Sequence, residues 1–192
     1  MTTFLLHGGK TSSSNENNQH FFDSFTTVVD KSQVHILLCY FARPVGEWNE
    51  LTTRDSNLIK KNSTKSVFIT VPQNPTELLA QLDEADVLYV AGGGAPPIET
   101  LYPQLGELKT KLDQKIYAGS SMGAFLASQN YVLSFDDQDN QTVHQGVGLL
   151  PLQVLCHWDV EPEKQRKLQL LRDKSNLPIL TLNETEFVEI HA

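Results

Sequence analysis

Short apolar runs alternate with longer amphipathic stretches over the first two thirds of the chain. The runs are residues 3–7, 34–41, 66–71, 87–91 and 115–119. They are nearly continuous in Val, Ile, Leu, Phe and Tyr, the pattern of strands covered on both faces in a parallel sheet. Between them, residues 15–29 set Phe21, Phe22 and Phe25 on one stripe, and 46–60 carry Trp48, Leu51, Leu58 and Ile59. Residues 74–83 open with Asn74 as N-cap, Pro75 at the first helical position and Glu77 at the capping-box position. Residues 97–112 and 121–129 complete the predicted helices. Such strand–helix alternation predicts an α/β fold with helices on both faces of the sheet.

The pattern changes after Gln129. Residues 131–135 and 141–144 flank an acidic stretch, 136–140, as the arms of a hairpin would. Residues 149–157 form another apolar run, 161–174 read as a helix with Pro162 near its start, and 178–182 and 186–190 read as a last pair of strands around a turn at Asn183-Glu184. No linker, internal repeat or low-complexity block interrupts the 192 residues, which are expected to form one domain, 1–192.

The charge balance narrows the partners. Fifteen Lys+Arg against 23 Asp+Glu give a formal net charge of −8. This argues against a nucleic-acid backbone or an anionic membrane surface, since both repel an acidic protein. No apolar run approaches the ~18–20 residues that span a bilayer, and no targeting segment is visible at the start, so a cytoplasmic protein is expected. Cys39 and Cys156 each lie in an apolar run and read as buried thiols. No metal-ligand spacing occurs, and neither a metal nor an organic cofactor is expected.

The most informative segment is Gly119-Ser120-Ser121-Met122-Gly123, after a strand and before a short apolar helix. This is the G-x-S-x-G nucleophile elbow in its strand–turn–helix setting. A nucleophile at so sharp a turn needs small flanks, and the spacing selects Ser121 over Ser120. The Met122 N–H is then placed to help hold an oxyanion. One strand earlier, Gly92-Gly93-Gly94 links a strand to a helix and would supply a second oxyanion donor; as a tight turn it would need no chemistry at all. A catalytic serine needs a base and an acid that orients it. Of six histidines, His157 ends an apolar run, where a strand would deliver it to the sheet edge. His7 ends the first strand, His35 lies within a strand, His20 is on a helix, His144 is in the hairpin and His191 is near the end. The residues alone leave the acid open between Asp136, Asp137 and Glu184.

In order and spacing these features resemble peptidase family S51, the dipeptidase E and cyanophycinase group. The resemblance also rests on the opening Leu6-His7-Gly8-Gly9, on Tyr40-Phe41-Ala42-Arg43-Pro44 with Glu47-Trp48, and on Gly148-Leu149-Leu150-Pro151 leading to His157. It implies a three-layer α/β/α, flavodoxin-like fold of the class I glutamine amidotransferase type, with a mostly parallel sheet. It implies Ser121 as nucleophile, His157 as base and Glu184 as the acid, with Gly93 or Gly94 donating beside Met122. The chain departs from the family in having Met122 after the nucleophile and Ala95-Pro96 after the glycine run.

The substrate class implied is a small peptide, such as a dipeptide with an N-terminal aspartate. Its carboxylate calls for a cation, with Arg166 or Arg43 as candidates. The rival readings are a non-catalytic binding protein on the same fold and an esterase-type serine hydrolase using Asp136 or Asp137. Sequence leaves the oligomeric state open.

Overall fold

The computed structural model describes residues 1–135 and 137–192. Its main sheet has six strands: β1 (Thr3–His7), β2 (Gln33–Cys39), β3 (Ser66–Thr70), β4 (Val87–Val90), β5 (Ile116–Ser120) and β10 (Phe187–His191), in the order β10-β1-β5-β4-β2-β3. All pair in parallel except β10, which lies antiparallel on β1. The result is the expected α/β fold with a mostly parallel sheet.

The crossovers run one way from β1 to β3 and turn back through β4 to β5. Right-handed connections therefore set α1 (Glu16–Thr27) and α2 (Trp48–Asn62) on one face. The other face receives α3 (Pro75–Gln81) and the segment before β5. In α1 the stripe of Phe21, Phe22 and Phe25 is fully buried, and all three rings contact Tyr89 of β4. The predicted cap of α3 is present: Asn74 Oδ1 accepts the Glu77 N–H at 2.9 Å, and Pro75 occupies the first turn.

Two expectations need correction. Residues 97–112 do not make one helix. They break into α4 (Ala95–Glu99), a 3₁₀ turn (Tyr102–Leu105) and α5 (Leu108–Lys111). Pro103 lacks the N–H that a continuous helix requires there, and Gly106 weakens the next turn.

The last two strands also part company. β9 (Ile179–Thr181) joins a second, four-stranded sheet, while β10 crosses to the edge of the first. That second sheet runs β7 (His144–Gln145), β6 (Asn130–Tyr131), β8 (Gln153–Leu155), β9. The hairpin expected around 131–144 forms only as the short antiparallel pair β6–β7. Helix α6 (Met122–Ala127) packs against β1, β4 and β5 of the main sheet and against β8 of the second. α7 (Lys164–Lys174) closes the second sheet through Leu171.

Both cysteines are buried free thiols. Burial pushes Cys39 up to about 12 and Cys156 higher still, so neither is a nucleophile at neutral pH. No helix among the described residues is long and apolar enough to cross a membrane.

Candidate active site

Parallel strands share a direction, so the carboxyl ends of β1, β2, β4 and β5 open on one side of the sheet. Each delivers part of one cleft of about 280 Å³. Gly9 follows β1, Arg43 follows β2, residues 92–94 follow β4 and Ser121 follows β5; Ser134, Asp137 and His157 complete the wall. Clefts in open α/β sheets form at such strand ends.

Ser121 occupies the turn between β5 and α6 with φ 48° and ψ −107°. A β-carbon on Gly119 would lie 2.5 Å from the Gly123 carbonyl carbon, and one on Gly123 would lie 2.1 Å from the Val90 oxygen. Only glycine at both positions lets α6 approach the sheet this closely. Ser120 faces the other way: it is buried, and its Oγ bonds the Tyr89 hydroxyl and accepts the Gly92 N–H.

His157 follows β8 with φ 55°. Its Nε2 lies 3.0 Å from Ser121 Oγ. On the far side of the ring, Nδ1 lies 3.5 Å from Glu184 Oε1, an ion-pair distance longer than a normal hydrogen bond. Glu184 Oε2 accepts from Lys10 Nζ at 3.1 Å, and the Glu184 N–H donates to Asp159 Oδ1 at 2.8 Å. Thus the His157 ring meets Ser121 at one nitrogen and Glu184 at the other.

Of the other acid candidates, Asp137 lines the cleft with Oδ2 accepting the Ser134 N–H at 3.2 Å, and Asp136 lies outside the described residues.

Met122 begins α6, so its N–H has no acceptor within the helix. The residue is 1% exposed and its side chain belongs to the main core. Of the glycine run, the Gly92 and Gly94 N–H groups are engaged by Ser120 Oγ and the Ala42 carbonyl. The Gly93 N–H has no acceptor among the described residues, whereas that of Gly94 is taken by the Ala42 carbonyl.

Arg43 lines the wall, its Nε donating to the Gly92 carbonyl and its Nη1 lying 3.8 Å from Glu47 Oε2. Arg166 lies elsewhere. It grips Glu163 with Nε and Nη2, both at 2.9 Å, and reaches the Asn140 carbonyl.

One residue set aside in the sequence stands directly beneath the site. His7 is fully buried; its Nδ1 accepts the Gly9 N–H at 3.0 Å and its Nε2 pairs with Asn18 Oδ1 at 2.8 Å. Burial above all lowers its pKa to about 4; the Asn18 bond opposes this and the nearby His157 adds to it. Its signal in the sequence was only a histidine followed by two glycines. Among the described residues, no group of three or more His, Cys, Asp or Glu is placed to hold a metal ion.

The profile of peptidase family S51 matches residues 4–192. A peptidase from an acI-B1 Actinobacterium superposes with a TM-score of 0.66 at 14% identity, over 96% of this chain and 81% of that one. A protein named as a peptidase E from Listeria monocytogenes EGD-e superposes with a TM-score of 0.61 at 16% identity, over 100% of this chain and 99% of that one. No curated relative matches the chain in sequence.

Proposed function

Since the chain belongs to peptidase family S51, we propose that it is a serine peptidase of small peptides, an exo- or dipeptidase that works through Ser121, His157 and Glu184. The observation that carries this reading is the 3.0 Å approach of Ser121 Oγ to His157 Nε2 at a strained elbow.

In the proposed cycle the Ser121 hydroxyl gives its proton to Nε2 as Oγ attacks the scissile carbonyl. Glu184 faces Nδ1 and favours the imidazolium that forms. The N–H groups of Met122 and Gly93 receive the developing oxyanion. His157 then passes the proton to the departing amine, and a water attacks the acyl-enzyme with His157 again as base. The catalytic set needs no metal and no cofactor.

The cleft suits a short substrate. Its volume of about 280 Å³ falls just below the ~300–1,000 Å³ of small-molecule sites. Its wall carries both signs of charge: Arg43 for a carboxylate side chain and Asp137 for a free N-terminal ammonium. Both favour a dipeptide with an acidic first residue. The test is hydrolysis of an aminoacyl p-nitroanilide panel, Asp included, by wild type and Ser121→Ala. Release that favours Asp and vanishes in the variant is expected. Release that survives in Ser121→Ala rules out the assigned nucleophile.

A further inference from the structure

The three residues of the proposed triad are distant in sequence, yet all are bonded to one short turn. The Ser121 N–H donates to the His7 carbonyl at 2.9 Å, and the His157 N–H to the Gly8 carbonyl at 3.3 Å. The Lys10 N–H donates to the Glu184 carbonyl at 2.7 Å, and Lys10 Nζ holds the Glu184 carboxylate. Gly9 lies against the base itself: a β-carbon there would be 2.4 Å from His157 Cε1. The positions of the nucleophile, base and acid relative to one another are therefore set by the conformation of residues 7–10.

The His7 side chain determines that conformation. Because the Gly9 N–H points at Nδ1, that nitrogen must carry a lone pair, and the proton sits on Nε2. Nε2–H donates to Asn18 Oδ1, which leaves Asn18 Nδ2 to donate to the Lys10 and Ser13 carbonyls at 2.9 and 2.6 Å. Imidazole and amide together tie the start of the turn to its end. The ring also packs on Phe21 of α1, with centroids 4.8 Å apart.

We infer that His7 is a positioning residue of the site: by accepting from Gly9 and donating to Asn18 it holds the turn on which Ser121, His157 and Glu184 are mounted. The inference rests on the proposed function for its kinetic consequence. Its structural consequence, the placement of the His157 ring, stands independently.

Three substitutions separate the two hydrogen bonds. His7→Asn presents an acceptor near the place of Nδ1 and keeps the Gly9 bond. His7→Gln presents a donor near the place of Nε2 and keeps only the Asn18 bond. His7→Phe keeps the ring packing and neither bond. With Asp p-nitroanilide, His7→Phe and His7→Gln are expected to lose about 10–100-fold in kcat with KM unchanged, and His7→Asn to recover most of the loss. In ¹⁵N-histidine NMR spectra the His157 ring signals should move in Phe and Gln and return in Asn.

Unmoved His157 signals in all three folded variants would overturn the inference, as would losses that only follow the fraction unfolded. Should His7→Phe not fold, the contrast between Gln and Asn decides the matter. If wild type hydrolyses nothing, the proposed function fails, and the NMR comparison still decides the role of His7.

Discussion

Ser121 Oγ lies 3.0 Å from His157 Nε2, and the two residues that meet there both hold left-handed backbone, φ 48° and 55°. Gln114 is the one other non-glycine residue with positive φ among the described residues. Such conformations cost of order 1–3 kcal/mol each and persist only where the surroundings enforce them. Here the enforcement is visible. The glycine contacts of β5 and α6 clamp the first residue, and the bonds from His157 N–H to Gly8 and from Glu161 N–H to the His157 carbonyl clamp the second.

Strain at the elbow gives a first prediction. Ser121→Ala and Ser121→Gly should both lose turnover by about 10⁴-fold or more. Glycine adopts positive φ freely, so Ser121→Gly should be more stable than Ser121→Ala by about 1 kcal/mol. Urea unfolding of the two variants checks this; equal midpoints would mean that the elbow stores no strain.

Gly9 gives a second. It has φ 136°, and any β-carbon would meet the His157 ring. Gly9→Ala should therefore displace the imidazole and lower kcat by about 10²-fold, the usual cost of a misplaced catalytic group. Labelling by a serine-directed fluorophosphonate should slow in parallel. Labelling at the wild-type rate would show that the ring had not moved.

Acid stability gives a third. Burial takes the His7 imidazole down to about 4 from an ordinary 6.5. Between these pH values the unfolded chain binds a proton that the folded chain does not, so stability falls on acidification from about 6.5 to about 4. Below that both states carry the proton and this contribution falls no further. Its full size is roughly 3 kcal/mol. Denaturant midpoints of wild type and His7→Asn between pH 4 and 7 should converge as the pH falls, because the variant lacks this proton. Parallel curves would exclude the effect.

The two arginines give a fourth. Arg43→Met should raise KM for substrates with an acidic first residue by about tenfold or more, while neutral substrates change little. Arg166→Met should leave both unchanged, because its guanidinium is already held by Glu163 and Asn140 outside the cleft wall. A rise in KM confined to Arg166→Met would reverse the assignment.

Some of this molecule was readable from short windows of sequence. The five parallel strands stood out as apolar runs; for β1, β2, β4 and β5 the reason is that a strand covered on both faces has no polar side to show, whereas β3 is an edge strand that leaves Phe68 exposed. Asn74-Pro75 marked the start of α3, since capping is a matter between neighbours. The elbow was legible for the same reason: its glycines and its serine act within five residues. The break in the helix expected at 97–112 has a local cause in Pro103 and Gly106.

Other features had no local signature. The strands after Pro178 read as neighbours and went to different sheets, because pairing partners are chosen by distant edges. Arg166 and Arg43 looked alike as cations, each near a glutamate in sequence; only the fold put Arg43 in the cleft wall and Arg166 outside it, gripped by Glu163. His7 looked like the mere end of a strand, since its partners, Gly9 and Asn18, matter only once β10 and β8 have brought Glu184 and His157 to the same turn.

Sequence by itself determined the α/β class, the five parallel strands of the main sheet and the elbow, because propensity, burial pattern and turn chemistry act over a few residues. Tertiary structure set Glu184 opposite His157, as the resemblance had implied, and alone decided which arginine lines the cleft and what holds the turn beneath it. Those choices depend on the ladder that lays Leu6 beside Val188 and on the parallel pairing of β8 with β9. Contacts across such separations in the chain follow from global packing, which no short window of residues encodes.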